Sequence, residues 1–288
     1  MSEPDHSAAL PGARRRHETA AAQYEEAARR AGVQVRELRE IAEFEQVVEL
    51  FDGIWTTEPG HAPTNVELMI AFSHSGNYVS GAFGDGGDLV GASIGFFAAP
   101  SGTALHSHVT GCARGRGIGY ALKLHQRAWA LSRGLGVITW TYDPLVRRNA
   151  YFNIAKLGAR PRRYLPSFYG AMEDAINAGD ESDRLLAVWR LGDPEAEAAC
   201  AGAARPPAVP AGAVVALAEQ DGRPVEGRVE GRVLLIGTPR DVETLRPRDP
   251  ATAKAWRHAV RRVLGGLLGE GARVTGFTAD GHYIVERP

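Results

Sequence analysis

Cysteine is scarce, with Cys112 and Cys200 the only two in 288 residues. Two thiols cannot build a disulfide framework or an all-cysteine metal site, and the scarcity favours a reducing compartment. An excess of either charge is also missing. With 33 Lys and Arg against 34 Asp and Glu, the whole-chain composition gives no sign of polyanion binding. Long apolar runs are absent: the most apolar stretch, 89–100, is too short and glycine-rich to span a bilayer as a helix. The N-terminal residues carry charge where a signal peptide would have an apolar core. The 34 glycines and 17 prolines show no collagen period, and a hydrophobic content of 44% argues for a globular body. The expectation is a cytoplasmic protein that engages neither membrane nor nucleic acid.

What is present is hydrophobic periodicity. Residues 1–16 read as a flexible tail, and the alanines and paired charges of 17–30 suit a helix. VQVREL (33–38) alternates as a strand, and 41–55 places Phe44, Val47, Val48, Phe51 and Trp55 on one helical stripe. Asn65 is a candidate cap for a short helix over 65–76. Segments 77–83, 88–97 and 104–111, joined by GDGGD and APSG turns, read as an antiparallel meander. A glycine-rich approach leads into a helix over 114–134, followed by a strand at 137–143, a short helix at 149–158 and a strand at 184–191. The Ala/Pro-rich stretch 193–212 reads as a linker. Residues 213–288 offer strands, an apolar helix over 251–271 and a closing hairpin. So short a piece is marginal alone, so it is expected to pack on the main domain of 17–192.

The most informative segment is HSHVTGCARGRGIGYALK (106–123), in which Arg114, Gly117 and Gly119 give R-x-x-G-x-G at a predicted strand–loop–helix transition. Glycines let backbone N–H groups approach an anion, and the helix start adds the positive end of its dipole, which suits a pyrophosphate. A dinucleotide fingerprint fails here. Counting from Gly115 and Gly117, its third glycine falls on Tyr120, and no acid stands about twenty positions further on. The Walker and kinase motifs are absent. The turn alone also has a plain structural reading.

With its neighbours, the sequence resembles the GCN5-related N-acyltransferase superfamily, whose signature [QR]-x-x-G-x-[GA] grips the pyrophosphate of acyl-coenzyme A. In VTGCARGRGIG (109–119) the usual proline is replaced by Gly111. The order of elements over roughly 33–191 is similar to that α/β fold, a mixed, mostly antiparallel sheet flanked by helices, here with a small C-terminal α/β extension. The resemblance implies that Val109 and Gly111 sit beside the pantetheine arm. It places Arg114, Gly115, Arg116, Gly117, Ile118 and Gly119 beside the pyrophosphate, with Asn149 and Phe152 as further coenzyme A contacts. More narrowly, the chain is similar to acyltransferases with an H-S-H strand, here His106-Ser107-His108, a D-P-x-x-x-x-N-A-x-F-N-x-x-K-L-G stretch, here Asp143 to Gly158, and an extra C-terminal region. Some of these look like amino-acid N-succinyltransferases.

The implied activity moves an acetyl or succinyl group from a coenzyme A thioester to the amine of a small molecule or amino acid by direct attack. The alternative is a non-catalytic acyl-coenzyme A-binding or sensor protein. Ile154 suggests it, standing where many relatives have a tyrosine that protonates the leaving thiolate. Tyr151, Tyr164 or Tyr169 would then supply that proton, or solvent would. His106 and His108 alternate on a strand and share one face, with Ser107 and Val109 on the other. Either histidine could take a proton from the incoming ammonium. No third ligand is evident for a metal on this pair, and none is expected. Glu67 and Asp143 are acidic alternatives, and Asn149 is a candidate helix cap. Lys123 and Arg127, four apart, could face the nucleotide's outer phosphate, and Arg147 and Arg148 a carboxylate. Cys112 reads as structural. A homodimer is left open.

Overall fold

The computed structural model describes residues 11–55, 63–113, 117–170, 180–203 and 207–288. They form two compact units. Unit 1 runs to Ile138 and includes Arg190–Gly192; unit 2 comprises Thr139–Trp189 and Asp193–Pro288.

Unit 1 holds α1 (Pro11–Ala31), β1 (Val33–Glu37), α2 (Ile41–Trp55), α3 (Val66–His74), β2 (Tyr78–Gly84), β3 (Leu89–Ala98), β4 (Ala104–Cys112) and α4 (Ile118–Ser132). Strands β1 to β4 pair antiparallel in chain order, as the meander predicts. The α2 stripe is core: Phe44, Val47 and Phe51 join Leu38, Met69, Val79, Ala92 and Ile94 in one buried cluster. Each of these side chains larger than Ala92 contributes roughly 1.5–3 kcal/mol. Asn65 caps α3 as expected, its Oδ1 accepting the Leu68 N–H at 2.8 Å. Helix α1 starts at Pro11, earlier than 17, since proline suits a first helical turn.

Helix α4 covers the opposite sheet face and packs against α1. Here the structure corrects the sequence expectation. Lys123 and Arg127 are 5% and 1% exposed, and neither presents a charged outer surface. Arg127 donates to Gln23 Oε1 at 2.7 Å and to the Leu191 carbonyl at 3.1 Å. Long charged side chains default to the surface, and the distant partners that hold these two inward leave no local pattern.

On the same helix, His125 Nδ1 lies 2.8 Å from the Tyr78 hydroxyl, and its ring meets Tyr24 edge-on at 4.9 Å. Burial lowers its pKa to about 4. Between its ordinary value of 6.5 and about 4, the unfolded chain takes up a proton that the folded chain refuses. The stability held above pH 6.5 is therefore lost as pH falls through this window. We expect His125→Gln to lower stability near neutrality by about 1 kcal/mol through the hydrogen bond. It should also remove on the order of 3 kcal/mol of the stability lost between pH 6.5 and about 4. Urea unfolding of both proteins from pH 4 to 7.5 checks this; parallel curves would contradict it.

Unit 2 contains α5 (Arg147–Tyr151), running into a π-helical turn at Phe152–Lys156, then β6 (Arg160–Leu165), β7 (Arg184–Arg190) and α6 (Pro194–Cys200). β8 (Val214–Gln220), β9 (Arg223–Glu226), β10 (Val233–Gly237), α7 (Val242–Arg248), α8 (Pro250–Val260), α9 (Gly266–Gly269), β11 (Arg273–Phe277) and β12 (His282–Glu286) follow. With β5 (Val137–Tyr142), which leads the chain in from unit 1, one strand order is β5-β7-β6; a separate five-stranded sheet runs β11-β12-β10-β8-β9. Only β8 and β10 among the strand pairs of that second sheet are parallel. The fold class is thus mixed, mostly antiparallel sheet flanked by helices.

The stretch read as linker contains α6, which buries Ala196, Ala199 and Cys200. Asp193 before Pro194, with Glu195 and Glu197 in the first turn, is a helix start that the Ala/Pro composition masks. The single helix expected over 251–271 is α8 and α9 joined by a π-helical turn at Arg261–Gly265.

Candidate functional site

Strand β4 ends at Cys112 and α4 begins at Ile118; Arg114, Gly115 and Arg116 lie outside the described residues. Gly117 is the α4 N-cap, left-handed at φ +77, without a side-chain cap and with no acid in the first turn. Its carbonyl accepts the N–H groups of Tyr120 and Ala121, each at 3.0 Å. Ile118 is buried and anchors the first turn. A 15-residue helix whose first turn lacks a side-chain cap offers its positive end to an anion. These residues fit a phosphate group. The Gly119 N–H bonds to Cys112, but burial pushes this thiol upward, away from the nucleophilic thiolate.

The histidine strand is irregular. Ile94 pairs with Val109 and Gly95 with Ser107, leaving His108 as an extra residue in β4. A bulge breaks alternation. Val109 consequently packs against the α2-side core instead of joining Ser107, which corrects the strict alternation read from sequence. The His106 and His108 rings lie 5.2 and 6.0 Å from Phe96, which meets Phe72 of α3 at 5.5 Å. Burial lowers the His106 pKa to about 4, with His108 and Lys123 adding to it, so this imidazole is neutral near pH 7. His108 Nε2 lies 3.1 Å from the Pro63 carbonyl. A carbonyl only accepts, so Nε2 carries a proton.

Under the other face of β4 runs a polar chain that the sequence did not reveal. Lys123 Nζ donates to Ser107 Oγ at 2.7 Å and Gln126 Oε1 at 3.2 Å; Gln126 Nε2 donates to Ser93 Oγ at 3.3 Å, and Ser93 meets Thr110 Oγ1 at 2.8 Å. Burial lowers the Lys123 pKa to about 7. Plain alternation puts Ser107 and Thr110 on opposite faces; the bulge at His108 brings both to the α4 side, so the sequence held no signal for this chain.

Gly111 is buried under α2. A Cβ there would lie 2.6 Å from Trp55 Cη2, and Trp55 stacks edge-on against Phe51 at 5.0 Å. Gly111→Ala is expected to displace the indole and cost about 1–3 kcal/mol. A lowered urea midpoint with altered tryptophan emission would show it; an unchanged midpoint would refute the tight contact.

The remaining candidates belong to unit 2. Asn149 is third in α5, whose N-cap is Val146, so Asn149 is not the cap. Phe152 opens the π-helical turn, and Ile154 within it is 3% exposed. The Tyr151 ring lies 5.9 Å from Lys156 Nζ. The Tyr169 hydroxyl lies 3.1 Å from Thr141 Oγ1, while Tyr164 donates to Asp183 at 2.6 Å. Burial, reinforced by the Asp183 charge, raises the Tyr164 pKa far above its ordinary value. Arg147 donates to Thr238 and Arg148 to Glu243, so both guanidiniums are engaged within the unit. Asp143, read as an acidic alternative, is buried between Arg246 and Arg257. Glu67 is exposed in the first turn of α3. Among the described residues, no three His, Cys, Asp or Glu side chains form a metal-binding group, and no helix is long and apolar enough to cross a membrane.

No protein-family model and no curated protein matches the sequence. Among solved structures, the chain is similar to the aminoglycoside 6'-N-acetyltransferase from Enterococcus faecium, at 17% identity and TM-score 0.42 over 56% of this chain and 98% of that one. It is similar to an N-acetyltransferase from Staphylococcus aureus Mu50, at 14% identity and TM-score 0.45 over 55% and 98%. The ribosomal-protein-S18-alanine N-acetyltransferase from Escherichia coli is similar at 10% identity and TM-score 0.44 over 56% and 95%.

Proposed function

We propose that this chain is an acyl-coenzyme A-dependent N-acyltransferase of the GCN5-related type, moving an acetyl or succinyl group to the amine of a small molecule, with an amino acid as the favoured acceptor. The observation that carries this reading is the R-x-x-G-x-G sequence joined to α4 through a left-handed Gly117 without a side-chain cap. Arg114, Gly115, Arg116, Gly117, Ile118 and Gly119 would hold the pyrophosphate, and Val109 and Gly111 the pantetheine arm. Asn149 and Phe152 are the unit 2 candidates for the same ligand.

When bound, the coenzyme supplies an activated thioester carbonyl. His106, kept neutral by burial, and His108, through Nδ1, are the groups that accept a proton from the acceptor ammonium and leave a nucleophilic amine. Tyr151 and Tyr169 are the candidate donors to the leaving sulfur, because Ile154 has no proton to give. That same isoleucine favours a second reading, a non-catalytic acyl-coenzyme A-binding protein. Thiol release from acetyl- and succinyl-coenzyme A with a panel of amino acids and small amines separates the two. Enzymatic function predicts acceptor-dependent release that falls at least tenfold in His108→Ala. Binding of the thioesters without release for any acceptor would favour the second reading.

A further inference from the structure

Unit 1 has a cleft of about 460 Å³ that nothing above uses, lined by residues from the β1–α2 junction, the end of α3, the start of β2 and Arg133 after α4. It lies at the end of the sheet away from the glycine turn. Tyr78 at the start of β2 pairs with Gly95, and Gly95 with Ser107 near the start of β4, whereas Cys112 closes β4 toward Gly117. The 15 residues of α4 separate Gly117 from Arg133, a distance of about 22 Å at the helical rise.

The cleft is lined mainly by polar groups, with Ile70 as an exposed apolar residue and Arg39 and Arg133 as a basic rim; Leu38, Phe44 and Val79 lie buried behind it. Arg133 is fixed in place. Its guanidinium stacks on Trp129 at 3.8 Å and pairs with Glu37 at 3.5 Å, and Glu37 also accepts the Trp129 Nε1–H at 2.9 Å. Burial lowers the Arg133 pKa; Glu37 opposes this, and the charge of Arg39 adds to it, so the two guanidiniums lie within electrostatic reach of each other. Among the described residues no carboxylate pairs with Arg39. The cleft lining thus holds two guanidiniums and one carboxylate, Glu37, which is bonded to Arg133 and Trp129. Glu43, outside the lining, takes the Arg39 backbone N–H and pairs with Arg36, so the Arg39 guanidinium is left to an anionic ligand.

We propose that this cleft is a binding site for a small carboxylate, its carboxylate on Arg39 and Arg133 and its short hydrocarbon part beside Ile70. The volume falls within the usual range for small-molecule sites. The site is separate from the glycine turn, and both can be filled together.

The Trp129 indole N–H, bonded to Glu37 beside Arg133, is a built-in reporter. The ¹H–¹⁵N spectrum of the full chain, with this resonance assigned by Trp129→Phe, is recorded during titration with butyrate and with its uncharged analogue butanamide. The proposal predicts a saturable shift with the carboxylate, at least tenfold weaker binding of the amide, and at least tenfold weaker carboxylate binding in Arg39→Gln. Arg39 is exposed, so that variant should keep the native spectrum. No saturable shift, an equal response to the amide, or unchanged affinity in Arg39→Gln would overturn it. Coenzyme A is not needed, so the outcome is independent of the function proposed above.

Discussion

Replacing Arg257 with methionine is expected to destabilise unit 2 by about 3–5 kcal/mol. Arg257 is fully buried and grips Asp143 with two bonds, Nη1 to Oδ1 at 2.8 Å and Nη2 to Oδ2 at 2.9 Å. It also donates to Asp180 Oδ2, from Nη2 at 2.8 Å and Nε at 3.2 Å. Arg246 is the second cation on the same two carboxylates. Burial alone would raise the Asp143 pKa, but Arg257 and Arg246 outweigh it and hold the carboxyl well below the ordinary range. Without Arg257, the two buried carboxylates lose their bidentate partner and keep Arg246, with the Arg184 charge near Asp143. The loss arises mainly from the charge left uncompensated, so Asp143→Asn combined with Arg257→Met should recover part of it. Urea unfolding of the four proteins of this cycle measures the coupling. Additive effects would show that the bidentate pair contributes nothing of its own.

Gly117→Val is expected to weaken coenzyme A binding at least tenfold, while Gly117→Asn keeps most of the affinity. Nothing lies within 4 Å of where a Cβ would stand at this position, so packing does not discriminate between the variants. The backbone does: φ is +77, a region that a β-branched residue resists and asparagine tolerates. Relieving that strain must shift the turn and the N–H groups that open α4. The left-handed penalty of roughly 1–2 kcal/mol corresponds to about a tenfold change in a binding constant. Equal affinity for Gly117→Val and the parent would separate the turn from ligand binding.

Much of unit 1 was legible because its signals are local and periodic. The α2 stripe, the Asn65 cap and the three-stranded meander follow from spacing alone. The bulge at His108 was not, since one extra strand residue leaves H-S-H looking like plain alternation. Nor was the burial of Lys123 and Arg127, because their partners Ser107, Gln23 and Leu191 lie 16, 104 and 64 positions away. Asp143 and Arg257 are 114 residues apart, and a carboxylate at the end of β5 reads equally well as catalytic or structural until its partner is seen. In the linker the helix signal was present in Asp193-Pro194-Glu195, but it was submerged in alanine and proline.

Isothermal titration of the purified chain with coenzyme A, acetyl-coenzyme A and succinyl-coenzyme A, beside matched NAD and ATP, is the most direct test of acyl-coenzyme A binding at 114–119. Saturable heat with the coenzyme A species and none with NAD is the predicted result. No saturable heat with any coenzyme A species would contradict it and return the glycine turn to a purely structural role.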